Sequence, residues 1–348
     1  MNRFLISWLL AMAVALPVMT ACHDNDGNDN PATYEGIPLV IYDTDIGSST
    51  DDLFALHMLY KYMDAGRCNL LGVMVNREGE TSAALADLMN TFYGHPDIPI
   101  GVERDGTKNP RVFIDYSLLP TLLDENGELM FQRSVTDYST LPDAWRLYRQ
   151  LLAQQPDHSV TVISVGFLSN LAHLLQSQGD EYSPLNGVDL VRSKVKRLFI
   201  MGGSFGDSVE PIEYNFLQSL SYSQMFFTLW PTDVDIIMSP GEVGDGIEYV
   251  PENVIADIDW TDRHPIKQVY MNCNCNTGQK MWDPLTVIQA IEGDSLFTLS
   301  PRGTVTVNDR AETFFHPSPT GYCRYQLPGT AQWNEEMLER IRRLTIDH

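Results

Sequence analysis

The sequence predicts an α/β protein of the Rossmann-like type, with a mainly parallel central sheet and helices on both faces. Three observations indicate this class. Short apolar runs alternate with stretches of helical periodicity along most of the chain. Most of these runs are apolar throughout, as is typical of strands that are buried on both sides. Strand and helix in turn give right-handed crossovers, and such crossovers make neighbouring strands parallel.

The first strand and the first helix are the clearest elements. Residues 37–45, IPLVIYDTD, are apolar almost to their end and predict a strand buried on both faces. Residues 50–66, TDDLFALHMLYKYMDAG, have helical periodicity, and Gly66 is expected to end the helix. Thr50 is the expected N-cap, and the two aspartates after it are favoured by the helix dipole.

The remaining elements continue the alternation. Further strands are predicted at residues 68–76, 98–102, 159–166, 195–203 and 234–240, and further helices at 81–94, 142–154, 168–178, 264–272 and 283–291. The loop from Glu103 to Thr140 is long and irregular, so we expect it to cover a site. A late hairpin is predicted at residues 297–308, and a closing amphipathic helix at 331–346.

The composition sets the size class and excludes one kind of partner. The 348 residues, 43% apolar and 10% aromatic, can bury a large core. The formal charge is −23, from 23 basic and 46 acidic residues that are spread along the chain. Such a surface repels phosphate backbones, so we expect no nucleic-acid partner.

The N-terminal residues are expected to be a secretion signal. MNRF carries one arginine, and the apolar run after it is too short and wrongly flanked for a stable membrane span. Thr20 and Ala21 before Cys22 resemble the bacterial lipobox, although Met19 replaces its usual leucine. The resemblance implies cleavage before Cys22 and acylation of its thiol, whereas the alternative is an ordinary signal peptide with a nearby cysteine. We therefore expect a protein of the cell envelope that is lipid-anchored at the outer membrane or the periplasmic face. The expected organisation is a lipoprotein signal peptide at 1–21, a flexible tether at 22–36 and one folded domain at 37–348.

The other cysteines are expected to be mostly free and buried: Cys68, Cys273, Cys275 and Cys323. The NCNC segment leaves one residue between its two thiols, which is a poor spacing for an unstrained disulfide. A Cys/His zinc site would need further ligands nearby, and none is in sight.

The segment DTDIGSSTDD follows the first predicted strand, at the edge of the sheet where ligands bind in this class of fold. It crowds Asp43, Asp45, Asp51 and Asp52 together with no lysine or arginine among them. Interpreted as an Asx-rich turn before an acidic helix start, it would be solvated and without function. Against that interpretation, Asp43 and Asp45 end a strand that should be buried, and burying unpaired carboxylates is costly or forces their protonation.

Two functional interpretations remain. A phosphatase with a nucleophilic aspartate in Asp-x-Asp-x-Thr fits the position, but Gly47 occupies the threonine position and no suitable basic residue is obvious. A hard-cation site fits better, because Ca²⁺ accepts about six to eight oxygens in irregular geometry. The site is not an EF-hand, since Phe54 stands where that loop needs its bidentate glutamate.

Five pieces of the chain, in order, resemble the inosine-uridine preferring nucleoside hydrolase family, whose members cleave the N-glycosidic bond of ribonucleosides. DTDIG, followed three residues later by Asp-Asp and an apolar helix, resembles the family's opening motif in its longer-loop version. SVGFLSNL resembles the family's Thr-Gly-x-Leu-Thr-Asn segment, and FIMGG resembles its strand that ends in Met-Gly-Gly. IEYNF resembles its Glu-Phe-Asn segment, and WDPLTV resembles its His-Asp-Pro segment. These pieces span residues 38–300, and YGHPDIPIGV with the WDP form is most similar to a secreted bacterial lipoprotein branch.

The resemblance implies a nucleoside hydrolase fold and calcium-dependent hydrolysis of ribonucleosides to free base and ribose, scavenging nucleosides outside the cytoplasm. It implies that Asp45 is the catalytic general base, because cleavage passes through an oxocarbenium-like ribose and needs an activated water. The implied calcium ligands are Asp45, Asp52, the Val165 carbonyl and Asp283. The implied substrate-binding residues are Asp51, Asn76, Met201, Asp207, Glu213, Asn215 and Trp282. The membrane is a partner only through the N-terminal lipid, and relatives commonly form homo-oligomers.

The chain departs from the family at several of these positions. Ser48 and Ser49 stand where longer-loop relatives often carry Asn-Asp, and Trp282 replaces a histidine of the purine-cleaving members. Tryptophan can stack on a base but cannot protonate it. Asp207 stands where those members use an asparagine, and a carboxylate there repels a phosphate or favours a cationic leaving group. Asn76 is the candidate for the asparagine that usually follows the second strand.

Simpler roles and two alternative functions stay open, one of them a hydrolase that acts on another ribosyl or glycosyl bond, such as that of nicotinamide riboside. Asp283 could only cap a helix, Glu213 and Asn215 could be loop residues, Met201 could be core, and Asp43 could orient other ligands. Ser48, Ser49 and Trp282 favour the other alternative, a non-catalytic calcium-dependent lipoprotein that binds ribose or nucleosides.

Overall fold

The computed structural model describes residues 34–107, 110–206, 212–273 and 275–346. The predictions for residues 1–33 and for Asp207, including the signal peptide, most of the tether and the lipidation of Cys22, lie outside the described residues. Among the described helices, none is both long enough and apolar enough to cross a membrane.

The strands and helices of the described residues alternate as follows. The strands are β1 (Leu39–Thr44), β2 (Asn69–Arg77), β3 (Ile100–Thr107), β4 (Val160–Ser164), β5 (Val195–Met201), β6 (Ile236–Ser239), β7 (Glu248–Tyr249), β8 (Gln279–Lys280), β9 (Gly303–Val307), β10 (Thr313–Pro317) and β11 (Cys323–Tyr325). The helices are α1 (Asp51–Asp64), α2 (Glu80–Phe92), α3 (Ala144–Ala153), α4 (Ser169–Gln176), α5 (Gly187–Lys194), α6 (Tyr214–Gln218), α7 (Leu220–Leu229), α8 (Gly241–Gly244), α9 (Pro251–Asp257), α10 (Pro265–Asn272), α11 (Trp282–Glu292) and α12 (Ala331–Ile346). Short 3-10 helices cover Leu119–Thr121, Tyr138–Thr140 and Asp294–Leu296.

One nine-stranded sheet runs in the order β10-β9-β11-β6-β5-β4-β1-β2-β3, and β7 and β8 form a separate antiparallel pair. The run from β11 to β3 is parallel, and β9 and β10 join its β11 edge in antiparallel pairing. The chain moves outward from β1 to β2 and β3, then returns to β4 on the other side of β1. The predicted mainly parallel sheet is confirmed, and its order reverses beside the aspartate-rich segment.

Alternate residues of β1 enter two different hydrophobic cores. Val40 and Tyr42 lie in one core, to which α1, α2, α11 and α12 also contribute side chains. Ile41 lies in a second core with side chains of α3, α4, α5 and α7. Because successive side chains of a strand point to opposite faces, helices cover both faces of the sheet, as the sequence predicts.

One expectation about these elements is wrong, and another is confirmed without its usual hydrogen bond. The strand pair near the C-terminus is β9 with β10, whereas residues 297–308 contain only β9. Strand β10 carries Pro317 and several exposed side chains because it lies at the sheet edge, so its sequence resembles a loop. Thr50 does occupy the N-cap position of α1, but its side chain makes no capping hydrogen bond. Its hydroxyl contacts Gln279 and Tyr270 instead.

The expectation of free, buried thiols is confirmed. The cysteines of the described residues are all unpaired and buried: Cys68, Cys273, Cys275 and Cys323. Burial raises the pKa of the Cys68 thiol to about 12 and that of the Cys273 thiol to about 11. These thiols therefore stay protonated and behave as small apolar core groups.

A buried chain of hydrogen bonds ties α12 to α1, α2 and α10. The Nε2 atom of His57 lies 2.9 Å from the Leu344 carbonyl oxygen, so that nitrogen carries the proton. Its Nδ1 atom then accepts from the Tyr93 hydroxyl at 2.5 Å, and the same hydroxyl accepts from Nε2 of His264 at 2.9 Å. The Nδ1 atom of His264 accepts from the Ile266 amide. Both imidazoles are therefore neutral, and burial lowers the pKa of His57 to about 4.

Candidate functional site

The candidate site is a cavity of about 340 Å³ at the point where the strand order reverses. The end of β1 and the end of β4 meet there, since the Val165 amide donates to the Asp43 carbonyl at 2.8 Å. A Cβ atom on Gly166 would lie 2.4 Å from the Asp45 amide nitrogen, so only glycine permits this close approach. The cavity is lined by Asp45, Ser48, Ser49, Asp51, Asp52, Phe113, Val165, Met201, Gly203, Ser204, Ile212, Glu213, Tyr214, Asn215, Gly241, Glu242, Asp245, Trp282 and Asp283.

The loop between β1 and α1 is held in a fixed shape. Gly47 has a φ of +121°, in the region that favours glycine. The buried Tyr116 hydroxyl accepts from the Gly47 amide and donates to the Ser49 carbonyl, both at 2.8 Å. The Ser48 carbonyl accepts from the amides of Phe113 and Ile114. The long irregular loop therefore packs against the β1–α1 loop and places Phe113 in the wall of the cavity.

Three buried carboxylates meet at the base of the cavity. Asp51 and Asp52 stand in the first turn of α1, and Asp283 stands in the first turn of α11, which packs against α1. One oxygen of each of these three lies within 4.8 Å of the others, and none of the side chains is more than 3% exposed. The N-cap of α11 is Met281, so Asp283 is not the capping residue of that helix.

The electrostatics of these acids are unfavourable in the absence of a cation. Burial raises the pKa of Asp51 to about 7 and, with the charges of Asp45 and Asp51, holds the pKa of Asp52 well above its usual range. Burial and the charges of Asp51 and Asp52 also raise the pKa of Asp283. Burial raises the pKa of Asp45 to about 6, against the opposing charge of Arg77, which does not line the cavity. The carboxylates therefore repel one another in a place that water does not stabilise.

This donor set fits a hard divalent cation. All its atoms are oxygens from carboxylates, which Ca²⁺ prefers, and the cluster lacks an ammonium or guanidinium among the described lining residues. Val165 also lines the cavity, and its carbonyl oxygen accepts only one hydrogen bond from described residues, from Asn215 at 3.0 Å. A carbonyl oxygen has two lone pairs, so one remains available. The same absence of basic side chains disfavours the phosphatase interpretation.

Asp43 lies behind the cavity wall, fully buried among neutral donors. Its carboxylate accepts from Asn76 Nδ2 at 2.6 Å, from the Tyr148 hydroxyl at 2.9 Å and from Asn170 Nδ2 at 3.2 Å. Burial raises the pKa of Asp43 to about 7. The contacts fit an orienting role, because they fix the strand end that carries Asp45.

Asn76 does not lie where a substrate contact was expected. Its Nδ2 group donates to Asp43, and its Oδ1 atom accepts from the Phe167 amide at 3.1 Å. The side chain is fully buried and does not line the cavity. Asn76 therefore acts on the site through Asp43 and the end of β4, since both ends of its amide are engaged.

The second side of the cavity is built around Glu213, at the N-cap of α6. Its two carboxylate oxygens accept from the amides of Asn215 and Phe216, at 2.8 and 3.0 Å. Burial nevertheless raises the pKa of Glu213 to about 7. The Asn215 side chain donates to the Val165 carbonyl and lies 3.4 Å from the Met201 sulfur. Glu213, Asn215 and Met201 thus form one wall, as the sequence expectation requires.

The third side comes from α8 and from the start of α11. Trp282 lines the cavity, and its indole N–H donates to the Gly241 carbonyl and to Asp245 Oδ1, both at 3.0 Å. Glu242 also lines the cavity and accepts from the Phe205 amide at 2.9 Å.

Sequence reasoning missed Glu242, Asp245, Phe113 and Tyr214 as lining residues. Glu242 and Asp245 could have been predicted, because the segment GEVGDG directly follows the predicted strand at 234–240 and so lies at the ligand-binding edge of the sheet. Phe113 comes from the irregular loop, and Tyr214 stands between two predicted residues.

Comparisons with known proteins agree with this geometry. Residues 40–330 match the family model described as inosine-uridine preferring nucleoside hydrolase. No curated protein sequence matches the chain. Among solved structures, the chain is similar to an inosine-uridine preferring nucleoside hydrolase from Bacillus anthracis, with 16% identity and a TM-score of 0.64 over 88% of this chain and 99% of that one.

Two further structures share the fold. A purine-preferring ribonucleoside hydrolase from Gardnerella vaginalis has 15% identity and a TM-score of 0.63, over 88% of this chain and 99% of that one. A plant nucleoside hydrolase has 20% identity and a TM-score of 0.60, again over 88% and 99% of the two chains. At these identities the similarity is one of fold.

Proposed function

Because the chain belongs to the inosine-uridine preferring nucleoside hydrolase family, we propose that it hydrolyses the N-glycosidic bond of ribonucleosides with calcium as its cofactor. The proposal depends on one observation: the buried carboxylates of Asp51, Asp52 and Asp283 lie close together in the wall of a cavity that is large enough for a small ligand. Acids from two distant segments converge there at the ligand-binding edge of the sheet. Such an arrangement is costly unless a cation offsets it.

The residues that would hold calcium are the three clustered aspartates with Asp45 and the Val165 carbonyl. When bound, the ion supplies positive charge that offsets the carboxylates, holds vicinal hydroxyls and favours the ionisation of water. The sequence resemblance places Asp45 among the ligands and Asp51 at the sugar. The geometry supports Asp51 as an additional ligand, since Asp51 belongs to the cluster of mutually close acids.

Asp45 is the proposed general base. Its Oδ2 atom accepts from the Ser48 hydroxyl at 3.1 Å, and its carboxylate lines the cavity, so Oδ1 is available to take a proton from water. The surrounding carboxylates stabilise the positive charge that develops on the ribose as the bond breaks.

The opposite wall is proposed to bind the rest of the sugar. Glu213 accepts from the backbone amides of Asn215, Phe216 and Gly203, and its carboxylate retains a lone pair that can accept a ribose hydroxyl. The Asn215 amide and the Met201 sulfur lie beside it and complete a surface for the ring.

The experiment compares base release from inosine and uridine by the calcium-loaded protein, its EDTA-treated form and Asp45→Asn. Loss of a general base lowers kcat by about 100- to 10,000-fold, whereas the thermal unfolding curve should be unchanged in shape. Asp64→Asn is the matched control, because Asp64 lies on the exposed end of α1, away from the cavity. A calcium-loaded, folded protein that cleaves neither nucleoside, nor any other ribonucleoside in a broad panel, would refute the proposal.

A second candidate function is calcium-dependent binding of ribose or nucleosides without turnover. It is favoured by one observation: Trp282 has its only N–H engaged with Gly241 and Asp245, and tryptophan cannot protonate a leaving base. Calorimetry with ribose and nucleosides beside a reducing-sugar assay distinguishes the two functions. Heat of binding without sugar release supports the second candidate.

We also propose that the mature protein begins at an acylated Cys22 and is held at the cell envelope by that lipid. Support comes from the sequence of residues 1–22. Mass spectrometry of the N-terminal peptide tests this proposal, and a peptide that retains residue 21 contradicts it.

A further inference from the structure

The cavity wall is strongly and uniformly acidic. Its described lining residues include seven carboxylates and no lysine, arginine or histidine: Asp45, Asp51, Asp52, Glu213, Glu242, Asp245 and Asp283. A divalent cation among the clustered aspartates offsets two negative charges at that end. The wall from α8, with Glu242 and Asp245, keeps its carboxylates without a basic partner among the described residues.

Asp245 is oriented by Trp282. The indole N–H donates to Asp245 Oδ1 at 3.0 Å, and no other described residue hydrogen-bonds this carboxylate, so Oδ2 is left for a ligand. The Trp282 ring is itself part of the cavity wall. An aromatic ring edged by a carboxylate attracts a flat cation by charge and by cation–π contact.

The same wall is poorly equipped to help a neutral base depart. A base that leaves as an anion needs a proton in the transition state. The Tyr214 hydroxyl already donates to the Arg111 carbonyl at 2.5 Å, and the Trp282 N–H is engaged with Gly241 and Asp245. No imidazole or ammonium lies among the described lining residues, so the remaining candidate for supplying that proton on this wall is the Glu242 carboxyl group, whose Oε2 atom has no hydrogen-bond partner among the described residues.

On the basis of the function proposed above, we propose that the favoured substrates are ribosides whose leaving group carries a fixed positive charge, of the N-ribosylpyridinium class. Trp282 and Asp245 form the subsite for that leaving group. The C1′–N⁺ bond breaks with its electron pair staying on the ring nitrogen, which becomes neutral. A C1′–O bond forms to water, whose proton passes to Asp45 and then to solvent. No proton has to reach the leaving group.

The test measures kcat/KM of the full chain, purified in detergent with excess calcium, on nicotinamide riboside, inosine and uridine. We expect nicotinamide riboside to be favoured by at least about tenfold, each rate being divided by that of spontaneous hydrolysis. Asp245→Asn should lower the ratio of the kcat/KM values for nicotinamide riboside and inosine by about fivefold, the upper size of a charge interaction at an exposed residue. Asp259→Asn is the matched control, since Asp259 is exposed and lies outside the cavity.

A binding measurement isolates the charge itself. In calorimetry, 1-methylnicotinamide should bind more tightly than nicotinamide, and Asp245→Asn should reduce this difference. Cleavage of inosine and uridine without a preference for nicotinamide riboside overturns the inference and leaves the proposed function standing. A folded, calcium-loaded protein that cleaves none of the three overturns both. A preference that Asp245→Asn does not reduce overturns the assignment of the subsite.

Discussion

The buried His57 should make the stability of this protein fall as the solution becomes acidic. Burial lowers the pKa of His57 to about 4 in the folded protein, against an ordinary value of 6.5. As the pH falls through 6.5 the unfolded chain binds a proton that the folded chain does not, so stability decreases from there down to about pH 4. Between about pH 7.5 and about pH 5, this one group lowers the free energy of unfolding by about 2 kcal/mol.

The assay is urea unfolding followed by tryptophan fluorescence, with excess calcium at both pH values. His57→Gln isolates the effect, because a glutamine can accept from Tyr93 and donate to the Leu344 carbonyl but does not titrate. The variant should be less stable than the natural protein at about pH 7.5 and should recover about 2 kcal/mol relative to it at about pH 5.

The control for this comparison is Ile341→Val, which removes one buried methyl group from α12. It should cost about 1 kcal/mol equally at both pH values, because no titrating group changes. If the difference between His57→Gln and the natural protein is the same at both pH values, the assignment of a neutral, proton-excluding histidine is refuted.

Two further predictions concern the site. Excess calcium should raise the melting temperature, by the equivalent of about 2.7 kcal/mol at a hundred times the dissociation constant, and EDTA should reverse it. Asp52→Asn should abolish most of that increase in a calcium titration by differential scanning fluorimetry, whereas an equal increase in Asp52→Asn and the natural protein would contradict the cluster as the binding site. Tyr116→Phe should cost about 1–3 kcal/mol in urea unfolding and raise KM, because it leaves the Gly47 amide and the Ser49 carbonyl without their partner. An unchanged KM would show that the loop holds its shape without the tyrosine.

The sequence predicts well those features that depend on local pattern. The apolar run of β1 and the periodicity of α1 place Asp43, Asp45, Asp51 and Asp52 at one end of a buried strand without any knowledge of tertiary contacts. The same reasoning finds α12, whose predicted and observed bounds agree. Edge strand β10 is missed because its exposed, proline-containing sequence carries no such pattern.

The features that depend on closure of the fold are harder to predict. The packing of α1 against α11 brings Asp51 and Asp52 close to Asp283, and sequence spacing cannot supply that geometry. Asn76 follows β2 as expected, yet its amide is used by Asp43, which only the packing of β1 against β2 reveals. Asp245 acquires its place through Trp282, a residue far away in the chain.

The aspartate cluster joins two distant parts of the polypeptide. Asp51 and Asp52 arrive near its beginning, and Asp283 arrives only after most of it has been made. A shortened polypeptide that stops before α11 lacks the Asp283 carboxylate, so we expect calcium not to stabilise it even when its first half folds. Under the proposed calcium binding, the ion can therefore join these two segments only late in folding, and resistance to proteases at α1 and at α11 should appear together when calcium is added.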